Sequence, residues 1–261
     1  MKRISFVLFS IFIFYSCAEN QKEERKSLEN ISPENSRYPA QLMAIFDAHG
    51  GLNLWQKMKA LSFEMEKSSG NEVHTTDLQS RQAVVESDAF KLGYDGVGVW
   101  LEEKEGSFPG NPKFYYNLMF YFQAMPFIVS DPGAIYTVRK DTVIERKTYG
   151  VIHIGFGRNV GETPEDEYII YFDKETNQMA WLGYTVTFFE KGKSNDWHYI
   201  KYDSWSEQQG LLLPEKMVWY SKNDKNDFKS TNTVFFKNID ISETALDKVI
   251  FKSPERSAYV D

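Results

Sequence analysis

This chain of 261 residues contains few histidines and cysteines, the side chains that most often bind zinc or act as a base or nucleophile at neutral pH. The four histidines are His49, His74, His153 and His198, and the only cysteine is Cys17. No two histidines have the His-Glu-x-x-His spacing, or another spacing that would hold zinc together with a carboxylate. The Gly-x-Ser-x-Gly and Walker patterns are absent as well. We therefore predict no metal ion, no cofactor and no catalytic residue.

The histidines still leave one enzymatic alternative open. His153 and His198 fall in predicted strands, where they could face a cavity beside a carboxylate, as a hydrolase would need. His49 falls at the end of a predicted helix, where its side chain can bond to the last carbonyl groups.

The strongest pattern in the chain is an uncharged, aromatic segment, residues 114 to 129, with the sequence FYYNLMFYFQAMPFIV. It is too short for a membrane-spanning helix, which needs roughly 20 residues. As a helix over residues 112 to 124, it would carry apolar side chains on every side, which is typical of a covered helix. Two interpretations stay open: the helix fills the core, or it is a lid over a cavity for a hydrophobic ligand.

For the lid interpretation we predict six side chains in the cavity wall. They are Phe114, Leu118, Phe122, Trp100, Trp181 and Trp219. The three tryptophans fall in predicted strands and contribute only if they point inward. A slip of one residue in strand register would reverse their direction.

The first 16 residues predict a secretory signal peptide, because Lys2 and Arg3 precede an apolar run over residues 4 to 15. Ser16 and Cys17 follow, and this ending resembles the lipobox of bacterial lipoproteins. The resemblance implies cleavage before Cys17 and attachment of a lipid such as palmitate to that cysteine. The alternatives are an ordinary signal peptide with an incidental cysteine, or a short anchor helix.

Residues 17 to 37 comprise Cys17 and a polar, charged segment that predicts a flexible tether. Residues 21 to 24 within it resemble the acidic export signal of surface lipoproteins in Bacteroidota, which implies an outer-membrane lipoprotein exposed at the cell surface. A plain solvated linker is the alternative. From residue 38 to residue 261 no linker interrupts the chain, so we predict a single domain.

Within this domain the hydrophobic period changes from helical to alternating. Apolar residues at helical spacing predict a helix that ends at Gly50 and Gly51, and a second helix over residues 52 to 58. From Leu61 onward, short alternating runs are separated by polar turns, which is typical of an antiparallel meander. We expect a mainly β (α+β) fold: a curved antiparallel sheet or half-open β-barrel, with an N-terminal helix pair and the aromatic helix on its concave side.

Several segments resemble a family of uncharacterised Bacteroidota lipoproteins. They are His49-Gly50-Gly51 with Trp55, residues 114 to 118, residues 124 to 127, and Asp131-Pro132-Gly133. Residues 171 to 176 with Trp181 are similar to the strand-turn-strand signature of Lol-type lipoprotein carriers. This remote resemblance implies a half-open β-barrel with helices over an apolar cavity that takes acyl chains.

The function we expect is a non-catalytic envelope lipoprotein that binds a lipid or other hydrophobic molecule in the half-barrel cavity. Each buried methylene would contribute about 0.8 kcal/mol to affinity. An envelope hydrolase and an interaction module with a filled core are the alternatives. The net charge of −7 argues against a nucleic-acid partner, whose phosphates need a basic surface. The sequence does not fix the oligomeric state.

Overall fold

An antiparallel sheet of 13 strands dominates the computed structural model, which describes residues 37–67, 70–157, 163–190, 192–223 and 227–260. In chain order the strands are β1 (Ala60–Met65), β2 (Glu72–Asp77), β3 (Ala83–Glu86), β4 (Phe90–Tyr94), β5 (Val99–Glu103), β6 (Ala134–Ile144), β7 (Lys147–Phe156), β8 (Tyr168–Asp173), β9 (Met179–Tyr184), β10 (His198–Gln208), β11 (Leu211–Lys222), β12 (Phe228–Ser242) and β13 (Ala258–Tyr259). Across the sheet the order is β13-β5-β4-β3-β2-β1-β12-β11-β10-β9-β8-β7-β6. The end strands β13 and β6 do not pair with each other in the described chain, so the sheet is open and curved, as predicted for a half-barrel.

Strand β12 joins the two halves of the sheet. Its first part, as far as Phe235, pairs with β11, and its last part, from Phe236 to Ser242, pairs with β1. The register with β1 shifts between Ser62 and Glu64, and Asn238 on β12 has a left-handed φ of 48° near this point. Such bulges bend a strand and increase its twist. One continuous strand therefore passes from one half of the curved sheet to the other.

Two tight hairpins connect neighbouring strands with loops of two residues. Glu145 and Arg146 between β6 and β7 have φ values of 49° and 67°, and Gln209 and Gly210 between β10 and β11 have 52° and 83°. Left-handed φ at both positions is the geometry of the type I′ turn, whose twist matches that of the strands. Neither pair is the Asn-Gly or Asp-Gly that normally marks this turn.

In the described part of the chain, four α-helices precede or interrupt the sheet: α1 (Ala40–Ala48), α2 (Leu52–Trp55), α3 (Pro112–Tyr115) and α4 (Leu118–Gln123). The same part contains 3-10 helices at Phe127–Ser130 and Lys248–Phe251. Helix α3 begins after Asn111, whose side-chain oxygen accepts bonds from the backbone N–H groups of Lys113 and Phe114 at 2.8 Å and 3.2 Å. An Asn cap followed by Pro112 at the first helical position is a favourable helix start. No helix in the described part of the chain is both long and apolar enough to cross a membrane.

The aromatic segment is not the single helix over residues 112 to 124 that its pattern predicts. It divides at Tyr116 and Asn117, where Asn117 has φ −123° and ψ 0°, outside the helical range. The segment reaches both halves of the sheet: Tyr115 of α3 donates to Glu72 of β2, whereas Phe122 of α4 packs on Tyr184 of β9. Tertiary contacts therefore override the helical propensity of the segment.

The helix pair α1–α2 packs on the aromatic segment through Phe127. This ring stacks on Phe46 at a centroid distance of 6.0 Å and on Trp55 at 5.0 Å. His49, at the end of α1, is fully buried and donates from Nδ1 to the carbonyl oxygen of Ile45 at 2.8 Å. Burial lowers the pKa of His49 to about 4, so its ring is neutral at pH 7. This histidine fastens the helix end, as its position predicts.

Candidate functional site

A cavity of about 380 Å³ lies between the aromatic helices and the half of the sheet that contains β7, β8 and β9. Its wall comes from α3 and α4, from the 3-10 helix Phe127–Ser130 with the turn after it, and from the segments before β8 and after β9. Ligand pockets typically measure about 300–1,000 Å³ and are lined mainly by apolar and aromatic groups. The size and composition of this cavity are therefore those of a small-molecule pocket.

Three of the six predicted wall residues lie in this cavity wall: Phe114, Leu118 and Phe122. Phe122 contacts Tyr184 at a centroid distance of 4.9 Å, and its backbone carbonyl accepts a bond from the Tyr202 hydroxyl at 2.9 Å. These contacts fix α4 on the sheet while Leu118, one turn earlier, borders the open space. The aromatic helices thus form one side of the cavity.

Trp219 lies behind the wall. Its ring meets Phe122 edge-on at 6.0 Å, and its indole N–H donates to the Tyr184 hydroxyl at 3.1 Å. The side chain therefore supports two wall residues, Phe122 and Tyr184, without bordering the cavity itself.

Trp100 and Trp181 lie on the opposite face of the sheet, away from the predicted position in the wall. Trp100 packs with Val84 and Phe251, and its indole N–H donates to the Phe251 carbonyl oxygen at 2.9 Å. Trp181 packs in an aromatic cluster with Tyr171 and Tyr199. The reason is register: successive side chains alternate between faces, so Trp181 points away from the face that Tyr184 occupies three residues later.

The wall contains tyrosines that sequence reasoning missed. Tyr168 on β8 and Tyr184 on β9 are directly paired and both border the cavity. Burial, together with the nearby Asp166 carboxylate, raises the pKa of Tyr168, and burial raises that of Tyr184. Both side chains are therefore neutral phenols at pH 7. Because β8 is almost continuously apolar, its sequence alone does not show which face points inward.

Within the described ranges, three charged residues also line the cavity: Lys113, Asp131 and Asp166. Asp131 is paired with Arg81, whose Nη2 lies 2.7 Å and 2.8 Å from its two carboxylate oxygens. Asp166 accepts, through Oδ1, the backbone N–H and the hydroxyl of Thr187 at 2.6 Å and 2.7 Å. The cavity therefore combines an aromatic interior with a few oriented polar groups.

A second, smaller cavity of about 110 Å³ borders a buried polar network that ties α3 to β2. Glu72 accepts bonds from Lys67 at 2.6 Å, from His74 at 3.3 Å and from the Tyr115 hydroxyl. Burial raises the pKa of Glu72, but the bonds from His74, Lys67 and Tyr115 outweigh burial and lower it overall. Both carboxylate oxygens are engaged, so the network anchors Tyr115 and offers no free acid or base.

The described chain brings no histidine into the wall of the larger cavity. His153 lies 3.6 Å from Glu167 and His198 lies 3.6 Å from Asp196, but neither pair borders that cavity. Across the described residues, no group of three His, Cys, Asp or Glu side chains is placed to hold a metal ion. The hydrolase alternative therefore gains no support from the geometry.

Comparisons with known proteins show that the fold is similar to solved structures. No protein-family model matches the chain, and no curated protein matches it. The fold is similar to the crystal structure of a DUF1329 family protein from Desulfovibrio piger, with a TM-score of 0.50 and 10% identity over 82% of this chain and 98% of that one. A LolA superfamily protein from Nitrosomonas europaea matches with a TM-score of 0.49 and 9% identity over 82% of this chain and 99% of that one. At 10% identity the first likeness shows a shared fold alone.

Proposed function

We propose that this protein is a non-catalytic lipoprotein of the cell envelope that binds one hydrophobic molecule beneath its aromatic helices. The observation that carries the proposal is the cavity of about 380 Å³ bordered by Phe114, Leu118 and Phe122. An interaction module with a filled core would not leave such a space beside the helices.

The cavity is large enough to give useful affinity. At about 30 Å³ for each water-sized group, its volume corresponds to about a dozen methylenes. At about 0.8 kcal/mol each, their burial would contribute roughly 10 kcal/mol before the cost of association. Binding therefore needs no charged partner to hold the apolar part of the ligand.

The membrane attachment is a separate part of the proposal. The predicted signal peptide, Cys17 and the tether up to residue 36 lie outside the described residues. We retain the prediction that Cys17 carries the lipid and anchors the protein at the outer membrane. Support for this part comes from the charged start, the apolar run and the single cysteine.

A cavity-filling substitution tests the binding site. Leu118→Trp places a larger ring where Leu118 borders the cavity, so uptake of the neutral dye N-phenylnaphthylamine by delipidated protein should fall at least about tenfold, a loss of about 1.4 kcal/mol in binding. Val138→Trp is the matched control, because Val138 is 45% exposed on the edge strand β6. The proposal fails if the unmodified protein takes up no dye, or if both variants bind it equally well at similar melting temperatures.

A further inference from the structure

The volume of the cavity limits the apolar part of the ligand to one chain. About 380 Å³ holds about a dozen water-sized groups, which is a single alkyl chain of moderate length. The wall cannot widen easily on the helix side, because the Tyr202 hydroxyl holds the Phe122 carbonyl and the Phe122 ring lies against Tyr184 and Trp219. A lipid with two or three long acyl chains would therefore leave much of its apolar surface outside this volume.

Two opposite charges stand on the same wall. Lys113 on α3 and Asp166 before β8 both line the cavity, and neither forms an ion pair with any residue in the described ranges. Asp131, the third charged wall residue, differs because Arg81 already neutralises it. Among the described wall residues, one cation and one anion are therefore left for a ligand to pair with.

The segments that carry the two charges meet in the cavity wall. Asp166 is bonded to Thr187, and the next residue, Phe188, packs on Phe114 at a centroid distance of 5.3 Å. Lys113 directly precedes Phe114 in α3. Both bonds from Thr187 fall on Oδ1 of Asp166, so this carboxylate is oriented while no described residue bonds its Oδ2.

Electrostatics then selects the head group. A purely apolar ligand would displace water from Lys113 and from Oδ2 of Asp166 and leave neither with a bonding partner, which is unfavourable. An anionic head group would be attracted by Lys113 and repelled by Asp166, and a cationic head group would be attracted by Asp166 and repelled by Lys113. We infer that the ligand is a single-chain zwitterionic amphiphile, whose anionic group pairs with Lys113 and whose ammonium group pairs with Asp166. This inference rests on the proposed binding function.

Competitors that share one dodecyl chain and differ only in the head group test the inference. Dodecylphosphocholine, lauric acid, dodecylamine and dodecanol are each used, below their micelle concentrations, to displace N-phenylnaphthylamine from the full mature protein at pH 7. Dodecylphosphocholine should displace the dye at a concentration about fivefold or more below the other three, since each added charge pair at a partly exposed site is worth up to about a factor of five. A two-chain didodecyl phosphocholine should displace it poorly.

Two variants assign the charges to the head group. Lys113→Gln should weaken the binding of dodecylphosphocholine and of lauric acid by about fivefold. Asp166→Asn should weaken the binding of dodecylphosphocholine and dodecylamine but strengthen the binding of lauric acid. The amide oxygen of the asparagine can still accept the bonds from Thr187. Dodecanol should be unaffected by either change. Lys237→Gln and Asp203→Asn are the controls, because both residues are exposed on strands and neither lines the cavity.

The outcomes distinguish a failure of this inference from a failure of the proposed binding function. If all four single-chain competitors displace the dye equally, or if the two wall variants behave as the controls do, the head-group assignment is wrong while hydrophobic binding stands. If the two-chain competitor is as effective as the one-chain compound, the size limit is wrong. If the protein takes up no dye at all, the proposed function falls and this inference falls with it.

Discussion

Replacing Gly93 by alanine tests where Trp100 packs. A Cβ atom at Gly93 would lie 2.4 Å from a ring carbon of Trp100 and 2.9 Å from the Ala83 carbonyl oxygen. The indole cannot move aside, because it is fully buried and its N–H is bonded to Phe251. Overpacking of this kind costs about 1–3 kcal/mol, and the fixed ring and backbone contact place Gly93→Ala near the upper end of that range. For a domain of this size the melting temperature should fall by roughly 5–10 °C.

The assay combines thermal unfolding with dye uptake. Gly155→Ala on β7 is the matched control, since the nearest atom that its Cβ would meet is a Glu167 oxygen at 3.9 Å. We expect the control to change stability by less than about 0.5 kcal/mol. Because Trp100 lies on the face opposite the cavity, Gly93→Ala should lower the melting temperature without changing dye affinity at 25 °C. An unchanged melting temperature, or a clear loss of dye affinity in the folded variant, would refute this placement of Trp100.

Two further predictions concern the bond between Tyr115 of α3 and Glu72, and the N-terminus. Tyr115→Phe removes one donor to the buried carboxylate of Glu72 and should cost about 1.5–3 kcal/mol at pH 7. The pKa of Glu72 is lowered in the folded protein, so the stability that this bond contributes is fully present above the usual pKa of 4.5. It is lost as the pH falls through the lowered pKa. The free energies of unfolding of the unmodified protein and Tyr115→Phe, measured by urea titration, should therefore converge in acid. Cys17 should be the first residue of the mature protein and should carry acyl chains, which an intact mass from a membrane fraction measures; a mature chain that begins elsewhere contradicts it.

The general architecture follows from local patterns in the sequence. Alternating runs and polar turns predict most of the strands. Strand β2 was missed because its inward residues include the polar Glu72 and His74, which hydrogen bonds and stacking on Phe63 stabilise only in the folded chain. Strand β13 has only two residues, too few for a periodic pattern.

The candidate site was predictable only on its helical side. Phe114, Leu118 and Phe122 border the cavity because a segment that is apolar all round must be covered, whichever way it turns. The division at Asn117 and the outward direction of Trp181 depend on long-range contacts and strand register, which one sequence does not specify. Lys113 and Asp166 are far apart in the chain, and long-range contacts such as those of Phe114 with Phe188 and Phe189 bring their segments together.

Native mass spectrometry of the protein purified from its own membrane tests the central claim most directly. The proposed function predicts a folded species that carries one additional small molecule, released by unfolding and lost in Leu118→Trp but kept in Val138→Trp. The further inference predicts that the released molecule has one alkyl chain and both an anionic group and an ammonium group. A binding function for this cavity would be contradicted if every preparation showed the ligand-free mass alone and the delipidated protein took up no dye.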